Sequence, residues 1–381
     1  MSLTLDIHAL QTLPPSNINR DDTGAPKTAL YGGVIRHRVS SQAWKKAIRD
    51  DFRHHFNAED LGVRSKRVVD LLARHVIEIA PDFDPQRAAE LAKELFTAAG
   101  IKIKDSKKAS KTETQTDIEH GESEYLLFLS NRQLNEAARY IIEHPDKKPS
   151  KKEVAQLLDQ YHSIDIAMFG RMLADAVDFN VDASVQVAHA IGVSETTLDF
   201  DYFTAVDDEV QRNENEVGAG MIGTVQMASS TLYRFATIDL LSLHENLAQE
   251  PKTTAHAAVS FVESFVKSLP TGKLNSFANN TLPDLVYITL RDDRAVSLVH
   301  AFEEAIPQEQ QDGTRGVRKA AALELAKAAR AIESTYGMPT KVSFIVALDD
   351  LGKEYEGAQA VTFPELLETL PGILTAELEE Q

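Results

Sequence analysis

Residues 34–56 read Val34-Ile-Arg-His-Arg-Val-Ser-Ser-Gln-Ala-Trp-Lys-Lys-Ala-Ile-Arg-Asp-Asp-Phe-Arg-His-His-Phe56, and the hydrophobic period changes within them. Val34–Val39 is short and rich in branched residues, which reads as a strand. Ser40 or Ser41 can then cap a helix, which the spacing carries to about Phe56. Trp44, Ile48 and Phe52 recur every four residues and form an apolar stripe. Lys45, Arg49 and Arg53 form a cationic stripe one residue further round the wheel. The apolar stripe anchors the helix on a sheet, and the cations are left along the edge of that contact.

Upstream, Leu3-Thr-Leu-Asp-Ile-His-Ala-Leu10 alternates apolar and polar residues, the pattern of a half-buried strand. A loop rich in Pro, Asn, Asp and Gly links it to Gly33. Downstream, residues 60–165 are mainly helical in pattern. Val68, Leu71, Leu72, Val76 and Ile79 have helical spacing, and Asp84-Pro85 is an N-cap followed by proline at the first helical position. Gly100 is a stop. Ser150-Lys-Lys-Glu153 is a capping box ahead of Val154, Leu157, Leu158 and Tyr161. Strands return at Leu232–Leu240, Leu285–Arg291 and Val342–Leu348, separated by helices such as the one carrying Ala257, Phe261, Phe265 and Leu269. The two ends therefore predict one α+β domain with a helical insertion between them.

The chain has 381 residues and a net charge of −18, with 43% hydrophobic and 26% charged residues. These are the proportions of a soluble globular protein. No apolar run reaches the roughly 18 residues of a membrane span. The first residues carry no basic, apolar leader pattern. There is no cysteine, which excludes disulfides, thiolate metal sites and a cysteine nucleophile and fits a cytoplasmic location. Against the acidic background, Lys27, Arg36, Arg38, Lys45, Lys46 and Arg49 follow one another with no Asp or Glu from Lys27 to Arg49. Grouped cations repel one another unless an anion sits among them, and a phosphate backbone is the obvious one. With so acidic a whole, such contact must be confined to a groove.

Other motifs are weaker. Gly218-Ala-Gly220-Met-Ile-Gly223 matches the dinucleotide fingerprint, but the polar run Asp207–Glu216 ahead of it is no buried strand. A hairpin with arms Phe200–Val206 and Thr224–Ala228 is the better reading. The 12 histidines show no metal-ligand spacing. Lys102, Lys104, Lys107, Lys108 and Lys111 make a basic loop that is either solvated or a nucleic-acid contact. Met172, Met221 and Ile222 are by default core or partner contacts, and beside a basic groove they would press on base faces.

Taken in order, these residues resemble a known family. Asn19-Arg20-Asp21-Asp22, Gly32-Gly33, Arg38-Val-Ser-Ser-Gln42 and Lys45 are similar to the N-terminal signature of the backbone subunit of the type I-E CRISPR Cascade complex, the CasC family. Asp165-Ile-Ala167, Gly170-Arg-Met172, Ala188-His-Ala-Ile191, Phe203-Thr-Ala-Val-Asp-Asp208, Gly218-Ala-Gly220, Gly223 and Tyr233-Arg-Phe-Ala236 continue the likeness, which covers about residues 1–245 and loosens beyond.

The resemblance implies a modified RRM-type, ferredoxin-like palm (1–58 and 187–381), a helical finger inserted over 59–186, and a β-hairpin thumb near 199–228. It implies a subunit, not a nuclease, that stacks head-to-tail along one CRISPR RNA with other Cascade subunits. The guide is then presented in short segments to target DNA, with no cofactor, metal or membrane. Arg20, Lys27, Arg38, Ser40, Gln42, Lys45, Lys46, Arg49 and Arg171 would be RNA-binding. Met172 would wedge beside a displaced base, and Met221 and Ile222 would make the thumb contact. The five lysines between Lys102 and Lys111 would face target DNA. Two departures stand out: Val34–His37 is less basic than the family pattern, and the thumb is longer and more acidic at Glu209–Glu216. The alternatives are a metal-dependent RNA-processing endonuclease on an RRM scaffold, which should cut precursor RNA, and a nucleotide-dependent enzyme using Gly218–Gly223.

Overall fold

The computed structural model describes residues 2–104, 121–158, 160–173, 176–206, 219–308 and 316–381. The chain divides into two compact units. One comprises Met1–Asp51, Gln186–Leu240 and Ala258–Gln381; the other comprises Phe52–Val185 and Leu241–Ala257. It is a mixed α+β protein, as the sequence pattern predicts. Among the described residues no helix is long and apolar enough to cross a membrane.

The strands are β1 (Thr4–Ser16), β2 (Thr28–Tyr31), β3 (Val34–Val39), β4 (Gly62–Ser65), β5 (Ile103–Lys104), β6 (Glu122–Ser123), β7 (Leu127–Ser130), β8 (Val185–Val187), β9 (Ala190–Gly192), β10 (Asp199–Val206), β11 (Ala219–Asp239), β12 (Leu285–Arg291), β13 (Val342–Ala347) and β14 (Gln359–Ala360). The first unit is built on one sheet in the order β14-β13-β12-β1-β11-β9-β3-β2, with β8 and β10 also paired to β11. β1 is central: Ile7 faces Ala236 of β11 on one side and Ile288 of β12 on the other. The sequence pattern for β1 predicts one wet face. Instead Thr4, Asp6 and His8 are buried with Leu5 and Ile7, because both faces of the sheet are covered.

On one face Leu10, Tyr233, Tyr287 and Ile345 pack with Ala322, Leu325 and Ala329 of the helix Arg318–Tyr336. His8 stacks between Phe235 and Tyr287 there, and its Nδ1 meets the Tyr233 hydroxyl at 2.9 Å. Strand alternation turns Arg234 to the other face, against Trp44 of helix α1 (Ser41–Asp51) and Phe265. Trp44 and Ile48 are fully buried, as the apolar stripe requires. The helix stops at Asp51, however, and a 3-10 turn over Phe52–His54 replaces the expected continuation to Phe56. Two acids, Asp50 and Asp51, stand where the helix dipole favours cations.

The second unit has its own core. Helices α2 (Val68–Ile79), α3 (Pro85–Ala98), α4 (Asn131–Glu143) and α5 (Lys151–Leu158) enclose Val68, Leu72, Leu91, Leu95, Phe96, Leu134, Ile141 and Leu158. Their caps follow the sequence. The Asp84 carboxylate accepts from the amides of Gln86 and Arg87, and Glu153 accepts from the Ser150 amide at 3.0 Å. Ser130 and Gln133 form a further capping box on α4 that the sequence reading missed. β4 pairs with β7, and a short helix α6 (Ile164–Phe169) leads to Gly170 at φ 75°. A Cβ at Gly170 would lie 2.8 Å from the Val181 carbonyl, so the turn into Arg171 needs glycine.

Candidate nucleic-acid interface

In the first unit the cations gather where three segments meet at the start of α1. The loop from Asn17 folds back on itself: Asp21 Oδ1 accepts from the amides of Thr23 and Ala25, at 2.9 and 3.0 Å. This is an Asx-type turn, the local chemistry that Asp favours. It returns the chain so that the Lys27 amide donates to the Asn19 carbonyl at 3.0 Å. The Arg38 amide then donates to the Lys27 carbonyl at 2.9 Å, and Asn19 Oδ1 accepts from the Ser40 amide at 2.9 Å. Lys27, Arg38 and the N-cap of α1 are thereby fixed to one another. Arg38 Nη1 reaches Nδ1 of His189 at 3.1 Å. Partial burial, then the charges of Arg38 and Lys27, hold His189 below the ordinary histidine range. The share of that lowering owed to Arg38 and Lys27 reflects a locally positive field.

α1 continues this surface. Ser40 is buried, and its hydroxyl accepts from the Ala43 amide at 3.3 Å. Its role is therefore to cap the helix rather than to present a contact. The first turn carries no acid, so its dipole favours an anion. Gln42 is exposed and Lys45 and Arg49 are half-buried along the helix. Lys46, also expected here, is exposed and pairs with Asp50 at 2.5 Å on its own helix. Arg20 is exposed in the loop. Arg36 departs from the six-cation pattern. It is fully buried and donates to the carbonyls of Gly192, Phe302 and Glu303 at 3.0–3.1 Å. Arg36 and Arg38 share one side of β3. The carbonyls of Gly192, Phe302 and Glu303 cover Arg36, while Arg38 stays half-buried.

The hairpin read from Gly218–Gly223 is present as β10 and β11, which pair antiparallel from Asp199↔Met227 to Val206↔Ala219. β11 is one strand from Ala219 to Asp239, so Met221 and Ile222 lie in its arm, opposite Ala205 and Thr204. The expected tip spans the segment between the arms Phe200–Val206 and Thr224–Ala228: its residues 207–218 lie outside the described residues, and Ala219–Gly223 belong to the arm instead. The dinucleotide reading fails, because Gly220 and Gly223 sit within a strand and open no helix. The sequence reading missed two exposed rings on β10. Phe200 is 66% and Tyr202 64% exposed, two residues apart and so on one face. Their signal was an aromatic–polar–aromatic alternation in a strand that leaves the sheet.

In the second unit Met172 and Arg171 part company. Met172 is 85% exposed. Arg171 is buried and gives its guanidinium to the carbonyls of Phe179 (2.7 Å) and Leu158 (3.1 Å). Its amide and carbonyl also bridge Val181, both at 2.9 Å. It is therefore a brace for the loop that displays Met172, not an RNA-contact cation. Lys102 is described, and Lys104 pairs with Glu124 at 2.9 Å. Lys107, Lys108 and Lys111 lie outside the described residues. Among the described residues no three His, Asp or Glu side chains converge as metal ligands.

A sheet-based unit with a cationic helix mouth and a helical unit displaying an apolar loop define a class, and the comparisons identify it. The chain belongs to the CT1975-like protein family, whose model matches residues 5–369. Among solved structures it is similar to a chain of a "CRISPR RNA-guided surveillance complex, pre-nicking", at 32% identity and TM-score 0.81 over 99% of both chains. A chain of another "CRISPR RNA-guided surveillance complex" is 27% identical, with TM-score 0.71, over 99% of this chain and 100% of that one. The likeness read from the motifs over about residues 1–245 thus extends, at the level of a CRISPR surveillance-complex chain, along 99% of this chain. No curated protein matches the sequence.

Proposed function

We propose that this chain is the backbone subunit of a type I-E Cascade complex that binds the CRISPR RNA and works in the cytoplasm. It grips phosphates without reading bases, stacks head-to-tail on further copies, and offers guide segments to target DNA. Its sheet-based unit serves as an RRM-like palm, its helical unit as a finger, and the β10–β11 hairpin as a thumb. Cutting is left to other proteins.

One observation carries this reading: Lys27 and Arg38 are tied together at the mouth of α1, whose following turns bring Lys45 and then Arg49. Cations fixed on backbone hydrogen bonds suit phosphates, which position a strand but carry no sequence. That is what a subunit accepting any guide requires. The likeness to chains of two RNA-guided complexes supports it. Arg20 and Gln42 extend the contact; Met172, Phe200 and Tyr202 supply apolar and stacking surface.

The test has two parts. Recovery of the native assembly and sequencing of its small RNA should give CRISPR guides. Lys45→Ala with Arg49→Ala should then lower RNA affinity and reduce the log–log salt slope by roughly 1.4, two single-strand phosphates' worth. An unchanged slope rejects the phosphate role, and cleavage of precursor RNA by the purified protein would favour an endonuclease instead.

A further inference from the structure

Arg234 is fully buried, yet among the described residues no carboxylate is one of its hydrogen-bonding partners. Its guanidinium lies between two rings, 3.7 Å from the centroid of Trp44 and 4.2 Å from that of Phe265. Nη1 donates to Gln11 Oε1 at 2.6 Å and Nη2 donates to the Phe265 carbonyl. Nε has no partner.

Stability does not account for such a group. An ion taken out of water without a counter-ion costs free energy, and well-packed apolar residues of similar volume commonly replace buried ions at no loss. What an aliphatic residue cannot do is fix the rotation of a ring. A flat cation held by two hydrogen bonds and stacked face-on admits one plane for the indole. Through it β11, β1 (Gln11) and the helix Pro251–Lys267 (Phe265) all bear on Trp44.

Trp44 is the anchor of α1, and Lys45 is the next residue. A side chain at the rim of a helix about 11 Å wide moves on the order of 2 Å for a 20° turn of the helix. That is enough to lose a charge-assisted contact to phosphate. We propose that Arg234 is a positioning residue for RNA binding: it locks the rotation of α1 so that Lys45 and Arg49 meet successive phosphates. This rests on the RNA-binding reading given above.

The experiment uses the full chain and a guide-length RNA, with affinity measured across salt concentration and melting followed in parallel. Arg234→Met should melt at or above the wild-type temperature, yet bind RNA about tenfold more weakly, with a salt slope smaller by about one phosphate. Arg234→Lys, which keeps the charge but loses the plane, should show the same defect. Trp44→Phe gives a second route should Arg234→Met fail to fold, with the same loss of slope expected. Wild-type affinity and slope in any folded variant of the three would overturn the proposal. The Lys45→Ala, Arg49→Ala protein is the internal standard. If its slope equals the wild type's, RNA binding by α1 is itself rejected, whatever Arg234 does.

Discussion

The ring of Phe203 on β10 occupies the space a side chain at Gly223 on β11 would need: a Cβ there would lie 2.4 Å from Cζ of Phe203. The two residues are paired in register, and the tip of the ring lies over the glycine, with Cε1 and Cε2 also within 3.1 Å of that Cβ position. Glycine in a strand interior is usually a loss, and here it is the seat for an aromatic.

Gly223→Ala should therefore push Phe203 out of its seat at a local cost of about 1–3 kcal/mol. This part of β11 pairs with β10 and not with β1, so global melting should change little. Faster proteolysis within 199–228 and weaker RNA binding are the expected readouts. A variant as protease-resistant as the parent would show that the ring has other places to go.

The turn joining β2 to β3 offers a paired test. Gly32 and Gly33 have φ of 59° and 81°, the two positive angles of a tight hairpin. A Cβ at Gly32 would be 1.6 Å from the Glu303 carbonyl oxygen, whereas one at Gly33 would meet nothing within 4 Å. Gly33→Ala should cost about 1 kcal/mol, the strain of the left-handed region alone. Gly32→Ala should cost about 2–4 kcal/mol, because backbone must move as well. Denaturant midpoints at constant m-value would rank them.

Arg171 and Met172 should separate stability from function. Arg171→Ala strands the carbonyls of Phe179 and Leu158 and should destabilise by about 2–4 kcal/mol. Met172→Ala removes an exposed side chain and should change stability by no more than about 0.5 kcal/mol. If Met172 presses on a base, its loss should alter the nuclease or chemical footprint of bound RNA while affinity stays near wild type.

Stability should fall on mild acidification. Burial holds His8 down at about 3 and His37 at about 4, from an ordinary 6.5. Below pH 6.5 the unfolded chain takes up protons at these sites that the folded chain refuses, so folding weakens as pH drops. Asp6 acts in the opposite direction. Burial, which outweighs its hydrogen bonds and Arg291, raises it from 3.8 to about 6, so acid favours its folded form between those values. Two histidines outweigh one aspartate. The net loss from pH 7 to pH 5 should be on the order of 2 kcal/mol, measurable as a lower melting temperature. His37→Gln should flatten the profile, and a melting temperature constant from 7 to 5 would refute this account.

Elements with local grammar could be read directly from the sequence. The Trp44–Ile48 stripe, the Asp84-Pro85 start and the Ser150–Glu153 box each follow from side chains near in sequence, and each forms. So does the hairpin around Gly223. What stayed hidden was long-range. Arg36, Arg171 and Arg234 look like surface cations in a string of letters, yet all three are buried on partners at least eight residues away. Only the packed fold decides that a strand such as β1 is covered on both faces. Of the candidate RNA contacts, the loop and helix positions Lys27, Lys45 and Arg49 were visible because no acid falls between Lys27 and Arg49. The aromatic pair Phe200 and Tyr202 was not, because exposed and buried rings in a strand spell alike.

β11 belongs to both the central sheet and the outlying arm without a break over 21 residues. An insertion of one residue in the arm would invert which side chains look up and which look down beyond it, because the pleat repeats every two. The arm already absorbs one such extra residue: Ala205 pairs with Met221 and Val206 with Ala219, so Gly220 stands as a bulge, and the same device lets the reach of the arm change by single residues where a bulge takes up the odd one.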